Sequence, residues 1–439
     1  MMAAVTDHGF YIKATHEFMF TTTTSNGMTL RPHNELFLNE PASDLQNWLL
    51  DPAVTFLNHG SFGACPRRVL AVQDEWRARM ERQPLQFLAR ELEPAMDAAR
   101  AALAQFVGAA AEDLVFVPNA THGINSVLRS LTFEPGDELL VTNQEYNASR
   151  NALDFVAAQF GARVVVVNLP FPLQNADEVI LPILAAVTPR TRLALLDHVV
   201  SQTGLVLPLE RLVKELAARG VETLVDGAHA PGMVPLDLKQ LGAAYYTGNC
   251  HKWLCAPKGS AFLFVQPHRQ KLIRPLAISH GANSARTDRS RFLIEFGWTG
   301  TGDVTAWLSV PAAIQFMAEQ LPGGWPEVMA RNRALALAAR KILCTALAIP
   351  EPCPAEFIGS LAAVSLPDAA PDALPRLPIN EYPLQDDLRL KHGIEVPLMP
   401  WPAPPKRLLR VSAQLYNSLP QYERLAQALR AELQLAGKT

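Results

Sequence analysis

Residues 223–259 read TLVDGAHAPGMVPLDLKQLGAAYYTGNCHKWLCAPKG. Two short apolar runs, 223–226 (TLVD) and 244–247 (AYYT), carry the residue types of strands, and each gives way to small and polar residues. Asp226 closes the first run and is followed at once by Gly-Ala-His. A carboxylate at a buried strand end costs free energy unless it is paired. A protonated ring nitrogen of a cofactor is one such partner; a helix N-cap is an equally weighted role. Lys252 lies just after the second run, beside His251. Burial or a nearby cation makes such an amine nucleophilic, and His251 beside it suits a phosphate contact. For an arbitrary His-Lys pair, an exposed loop is the more frequent setting.

The surrounding chain repeats the pattern. Further β-rich runs occur at 114–117 (LVFV), 138–142 (ELLVT), 163–168 (RVVVVN), 193–197 (LALLD) and 261–265 (AFLFV), with helical stretches such as 209–219 (LERLVKELAAR) between several of them. Strands alternating with helices predict an α/β fold whose mostly parallel, seven-stranded sheet is covered by helices. Chemistry then belongs beyond the C-terminal ends of the strands. Directly after LVFV comes 118–125, PNATHGIN. A strand, small polar residues and a helix start make an anion site from free backbone N–H groups, with Thr121, His122 and Gly123 as its cradle; an ordinary Thr-capped helix has the same sequence. No P-loop or dinucleotide glycine motif is present.

Residues 68–107 read as helical, 266–310 as loop-rich and 311–348 as helical again. From Pro350 to Pro405 the chain is rich in proline, and it closes on LLRVSAQLYN and the helical YERLAQALRAELQLAG. This predicts a partly disordered N-terminal extension over 1–50, a large domain over 51–310 and a smaller α+β domain over 311–439, joined by the N-terminal stretch.

Composition narrows the function. Across 439 residues, 39 Lys and Arg face 42 Asp and Glu, leaving a net charge of −3. That balance argues against a nucleic-acid or membrane-surface partner. Apolar residues make up 49%, enough for a substantial core and too many for a disordered chain. No apolar run approaches a membrane span, and the N-terminus lacks the apolar stretch of a signal peptide. The five cysteines, Cys65, Cys250, Cys255, Cys344 and Cys353, are too few and odd in number for a disulfide framework, which suits a reducing, cytoplasmic setting. The spacing of Cys250, His251 and Cys255 is not a standard zinc pattern, so no metal is expected.

Taken together, DGAH after one strand and HKW some 25 residues later resemble the class V aminotransferases, fold-type-I enzymes dependent on pyridoxal 5′-phosphate (PLP). The opening 57–66, LNHGSFGACP, and 248–259, GNCHKWLCAPKG, are most similar to the isopenicillin N epimerase-like branch, which also holds C–S lyases and cysteine desulfhydrase-like enzymes. The resemblance spans about residues 55–420. It implies that Lys252 carries the cofactor covalently and that Asp226 pairs with its ring nitrogen. His229 would hydrogen-bond the phenolic oxygen and Tyr146 would stack on the ring. Thr121 and His122 would bind the phosphate, with Asn249 and His251 closing the cup and Thr301 reaching the phosphate of a neighbouring subunit in a homodimer. Arg410 would hold the α-carboxylate of an amino acid substrate, in a pocket lined by Asn58, His59 and Ser61. Two departures stand out: 390–400, LKHGIEVPLMP, lacks the late-chain cysteine of cysteine desulfurases, and Asn249 stands where many relatives have Ser or Thr. The resemblance implies chemistry at Cα of an amino acid, epimerase-like, with C–S lysis or β-elimination as the alternative. A non-catalytic amino-acid sensor is the more distant reading.

Overall fold

A computed structural model describes residues 38–375 and 382–434. Seven strands form the main sheet: β2 (Leu114–Val117), β3 (Glu138–Thr142), β4 (Arg163–Val167), β5 (Thr191–Asp197), β6 (Glu222–Asp226), β7 (Tyr245–Asn249) and β8 (Ala261–Val265), in the order β2-β8-β7-β6-β5-β3-β4. Only β8 runs antiparallel to its neighbours. Strands β2, β3, β6, β7 and β8 are buried along nearly their whole length, as expected where helices cover both faces. Alternate side chains separate into two cores: Val115, Val117, Leu193 and Leu195 face one way, while Leu114, Phe116, Ala194 and Leu196 face the other. The edge strand β4 is the exception, with Val166 39% exposed.

A three-stranded antiparallel sheet lies toward the C-terminus, with β12 (Arg407–Ser412) between β11 (Leu398–Pro400) and β9 (Leu361–Leu366). The helices Gly324–Leu347 and Leu419–Glu432 pack with it. The short β1 (Thr55–Phe56) pairs in parallel with β10 (Ile394–Glu395), so the N-terminal stretch joins this smaller part of the molecule. Residues 38–50, within the expected N-terminal extension, are tied down by a few buried anchors. Trp48 is buried against Tyr416 and Phe316, and Leu415 accepts from the backbone of Ala42 and Ser43. Residues 1–37, where the rest of that expectation falls, are outside the described residues. Among the described residues no helix is long and apolar enough to cross a membrane.

Register fixes what meets at the C-terminal rim of the sheet. Asp197 of β5, Asp226 of β6 and Thr247 of β7 are direct neighbours across three parallel strands. The helix Ala120–Leu128 starts beside them, capped by Asn119, whose side chain accepts from the His122 N–H. Gly123 lets this helix lie against β7: a Cβ there would come within 2.2 Å of the Thr247 hydroxyl. The chain is thus α/β with a mostly parallel seven-stranded sheet and a smaller C-terminal part, as its strand pattern predicts.

Candidate active site

Lys252 follows β7 in the tight connection to β8 and is partly buried. Burial, then the nearby Arg410 charge, lowers its pKa from 10.5 to about 7, with Asp226 and Asp197 acting in the opposite direction. Its Nζ lies 3.0 Å from Nε2 of His229. Trp253 donates to Nδ1 of that ring, which places the ring proton on Nε2, facing the lysine nitrogen. Burial drives the His229 pKa well down, so a neutral imidazole meets an amine with an available lone pair.

Asp226 ends β6 at 3% exposure. One carboxylate oxygen accepts from the Ser149 hydroxyl at 2.7 Å and the other from the Ala228 N–H at 3.0 Å. Burial raises its pKa, and both hydrogen bonds oppose the rise. Among the described residues it forms no salt bridge. A buried carboxylate held by neutral donors, in reach of a partly buried lysine, fits a cationic ring nitrogen.

Arg410, on β12, is buried. It donates to the carbonyl and, at 3.4 Å, the hydroxyl of Ser201 and to the Ser61 hydroxyl at 3.1 Å; its Nε has no partner. Burial lowers its pKa to about 10, and only the Tyr146 phenol acts the other way. Among the described residues no carboxylate pairs with it, so this cation lacks the two-oxygen partner that a guanidinium fork matches.

The remaining predicted residues sort into groups. Ser61 donates in turn to Asn58 Oδ1 at 2.6 Å, which joins Asn58, Ser61 and Arg410 in one chain. Tyr146 is 44% exposed at the start of the helix Asn147–Phe160 and close enough to act on Arg410. Thr121 and His122 occupy the first turn of Ala120–Leu128, and Asn249 Oδ1 accepts from the Ala120 N–H at 2.9 Å, tying β7 to that helix start. His251 donates from Nδ1 to the Ser260 carbonyl at 2.9 Å. Burial lowers its pKa to about 4. Thr301 lies exposed in a turn, with no hydrogen bond to these groups among the described residues.

His59 is expected at the substrate pocket, and its ring is wholly buried: Nδ1 accepts from the Tyr416 hydroxyl at 2.8 Å, and Nε2 lies 3.0 Å from the Lys252 carbonyl. With burial holding it neutral, at a pKa of about 3, it clamps the lysine backbone. The loop carrying it turns at Gly63, where φ is +71° and a Cβ would lie 2.2 Å from the His251 carbonyl. Ser149, Ser201, Glu145 and Asp197 were missed by sequence reasoning. Asp197 had a readable signal, since it ends an apolar strand just as Asp226 does. The five cysteines are all free and buried. Burial raises each thiol pKa, to about 12 at Cys65 and about 11 at Cys344 and Cys353, the setting of an unreactive thiol.

Comparison with known proteins accords with this geometry. The aminotransferase class-V profile matches residues 63–351. The isopenicillin N epimerase of Amycolatopsis lactamdurans is 40% identical over 401 residues, covering 87% of this chain and 96% of the relative. A probable chloroplastic L-cysteine desulfhydrase of Arabidopsis thaliana is 32% identical, covering 86% and 83%. Among solved structures, C-DES with glycine covalently linked to its PLP cofactor superposes with a TM-score of 0.73 at 21% identity, covering 88% of this chain and 99% of that one. The chain therefore belongs to the aminotransferase class-V family of PLP-dependent enzymes, with the fold-type-I architecture.

Proposed function

We propose that this chain acts at Cα of an amino acid as an isopenicillin N epimerase-like enzyme, with PLP held by Lys252. The observation that carries the reading is the convergence of three unsaturated charges drawn out of water: a lysine with a lowered pKa, a carboxylate without a cation and a guanidinium without a carboxylate. Bound PLP supplies an electron sink for the bond broken at Cα. Asp226 would hold the ring-nitrogen proton, His229 would face the phenolic oxygen and Tyr146 would stack on the ring. Thr121, His122, Asn249 and His251 would surround the phosphate, beside the N–H groups of the helix start. Arg410 grips the substrate carboxylate, supported by Ser61 and Asn58. Lys252, whose proton affinity sits near neutral pH, would take the Cα proton on its own face, and a proton delivered to the opposite face would give the epimer.

The likeness to desulfhydrases supports C–S lysis as the alternative. Transfer of sulfur to a protein thiol is not part of it, because every cysteine is buried with a raised pKa. We further propose a homodimer in which the exposed Thr301 reaches the partner's cofactor phosphate, a cytoplasmic setting, and a division into a cofactor-binding unit over 51–310 and a smaller unit over 311–439. The test is incubation of the holoenzyme with a panel of L-amino acids in deuterium oxide. D-isomer carrying deuterium at Cα is the expected product. Sulfide with pyruvate identifies the lyase instead, and 2-oxo acid formed with the aminated cofactor identifies transamination.

A further inference from the structure

Behind Asp226 lie two more carboxyl groups that the proposed reaction does not use. Glu145 precedes the helix Asn147–Phe160, and Asp197 ends β5 as the register neighbour of Asp226. Their exposures are 6% and 2%, and single oxygens of Glu145, Asp197 and Asp226 lie within 4.8 Å of one another. Among the described residues none of the three is in a salt bridge. Glu145 Oε2 and Asp197 Oδ2 are buried and, counted as ionised acceptors, have no partner. The two carboxyls nonetheless lie close enough to act on each other. Two carboxylates cannot bond each other; one carboxyl and one carboxylate can.

We propose that Glu145 and Asp197 share one proton, and that the single negative charge left on the pair is a positioning charge behind Asp226 that holds the proton on the cofactor's ring nitrogen. This rests on the placement of the cofactor at Lys252 and Asp226. Three adjacent carboxylates in a dry site cannot all be ionised, and the donors decide which gives way. Asp226 accepts from both Ser149 and Ala228, whereas among the described residues the pair accepts only the Tyr146 N–H, at 3.2 Å on Glu145. The proton therefore resides on the pair and Asp226 stays anionic. The other charged or titratable groups facing this cluster are Lys252 from the β7–β8 connection, Arg150 from the helix Asn147–Phe160 and Tyr246 from β7. Arg150 is already engaged by Asp154. A second negative charge on the far side of Asp226 raises the proton affinity of the ring nitrogen and of the lysine–cofactor linkage without contacting either.

Amide substitutions test the proton count, because an amide reproduces the protonated member of the pair. Borohydride reduction of the wild-type holoenzyme and peptide mapping come first; an adduct away from Lys252 overturns both this proposal and the site on which it rests. With the adduct on Lys252, the readouts are the pH midpoint of the cofactor's visible band and the PLP dissociation constant. Asp197→Asn and Glu145→Gln alone should keep the charge and leave the midpoint in place. The double variant should lower it by about one pH unit and weaken PLP binding about tenfold. A full drop in either single variant shows two ionised carboxylates, and an unmoved double variant shows a neutral pair; each overturns the proposal. Infrared spectra of the holoenzymes decide the same question if the double variant does not fold. The protonated-carboxyl band of the wild type should vanish in either single variant, and its persistence in one of them overturns the shared proton.

Discussion

Lys252 and Arg410 are both basic groups drawn out of water, and each makes a separate prediction. Because burial lowers the lysine pKa from 10.5 to about 7, the unfolded apo-protein binds more protons than the folded one between those values. Stability of the apo-protein should therefore rise with pH across that window and fall as pH drops toward 7. Thermal melts of the apo-protein check this, and Lys252→Met should flatten the slope. The rate at which apo-protein captures PLP should likewise rise through a midpoint near 7, since the neutral amine is the nucleophile. Arg410→Lys should raise the Michaelis constant for any amino acid roughly ten- to a hundredfold, as expected for lost charge-assisted hydrogen bonds of ~1.5–3 kcal/mol. The cofactor spectrum should be unchanged, and amines lacking the carboxylate should lose little. Steady-state kinetics on matched acid and amine substrates make the comparison. At this scale Lys252 and Asp226 were legible because each follows a readable strand. Ser149, Ser201 and Glu145 were not, since what gives them a role is a neighbour on another element.

The strand runs and the Ala120–Leu128 helix were readable because the periodicity of buried strands is local, and the observed ends of the strands depart from the pattern by at most two residues. Less readable was how closely the elements approach. Gly123 sits in PNATHGIN as an ordinary small residue, yet its missing side chain sets the distance between the phosphate-facing helix and β7. Gly123→Ala should push that helix off the sheet, costing ~1–3 kcal/mol as overpacking does, and should weaken PLP binding. Thr247→Ala should recover part of both losses, because the contacts removed are with the threonine side chain. Denaturant melts and PLP titration of the single and double variants measure it. The turn at Gly63 belongs to the same class: its positive φ and its fit beneath the His251 carbonyl depend on a segment almost two hundred residues later.

For the whole molecule, the proposed homodimer predicts complementation. Lys252→Ala subunits lack the lysine, and Thr301→Asp subunits set a carboxylate against the partner's phosphate. Mixed after partial unfolding, these two inactive proteins should regain activity in hybrids that contain one intact site. Mixtures that stay inactive place each site within a single chain. The fold class and the two-part division follow from the run of strands along the chain, whereas the tie between its beginning and its end does not. His59 grips the Lys252 carbonyl while bonded to Tyr416, 357 positions further along. The order of synthesis gives that clamp a further meaning. All seven strands of the main sheet leave the ribosome by Val265, and domains begin to fold as they emerge, so the lysine's surroundings form early. The clamp must wait for the final residues to be made, and closing so long a loop is slow. A nascent chain therefore carries the cofactor lysine through the making of the 164 residues after Lys252, up to Tyr416, with its backbone unanchored, and only the nearly finished polypeptide locks it. Chains stopped before Arg407 should bind PLP weakly and turn over nothing, even with the main sheet complete.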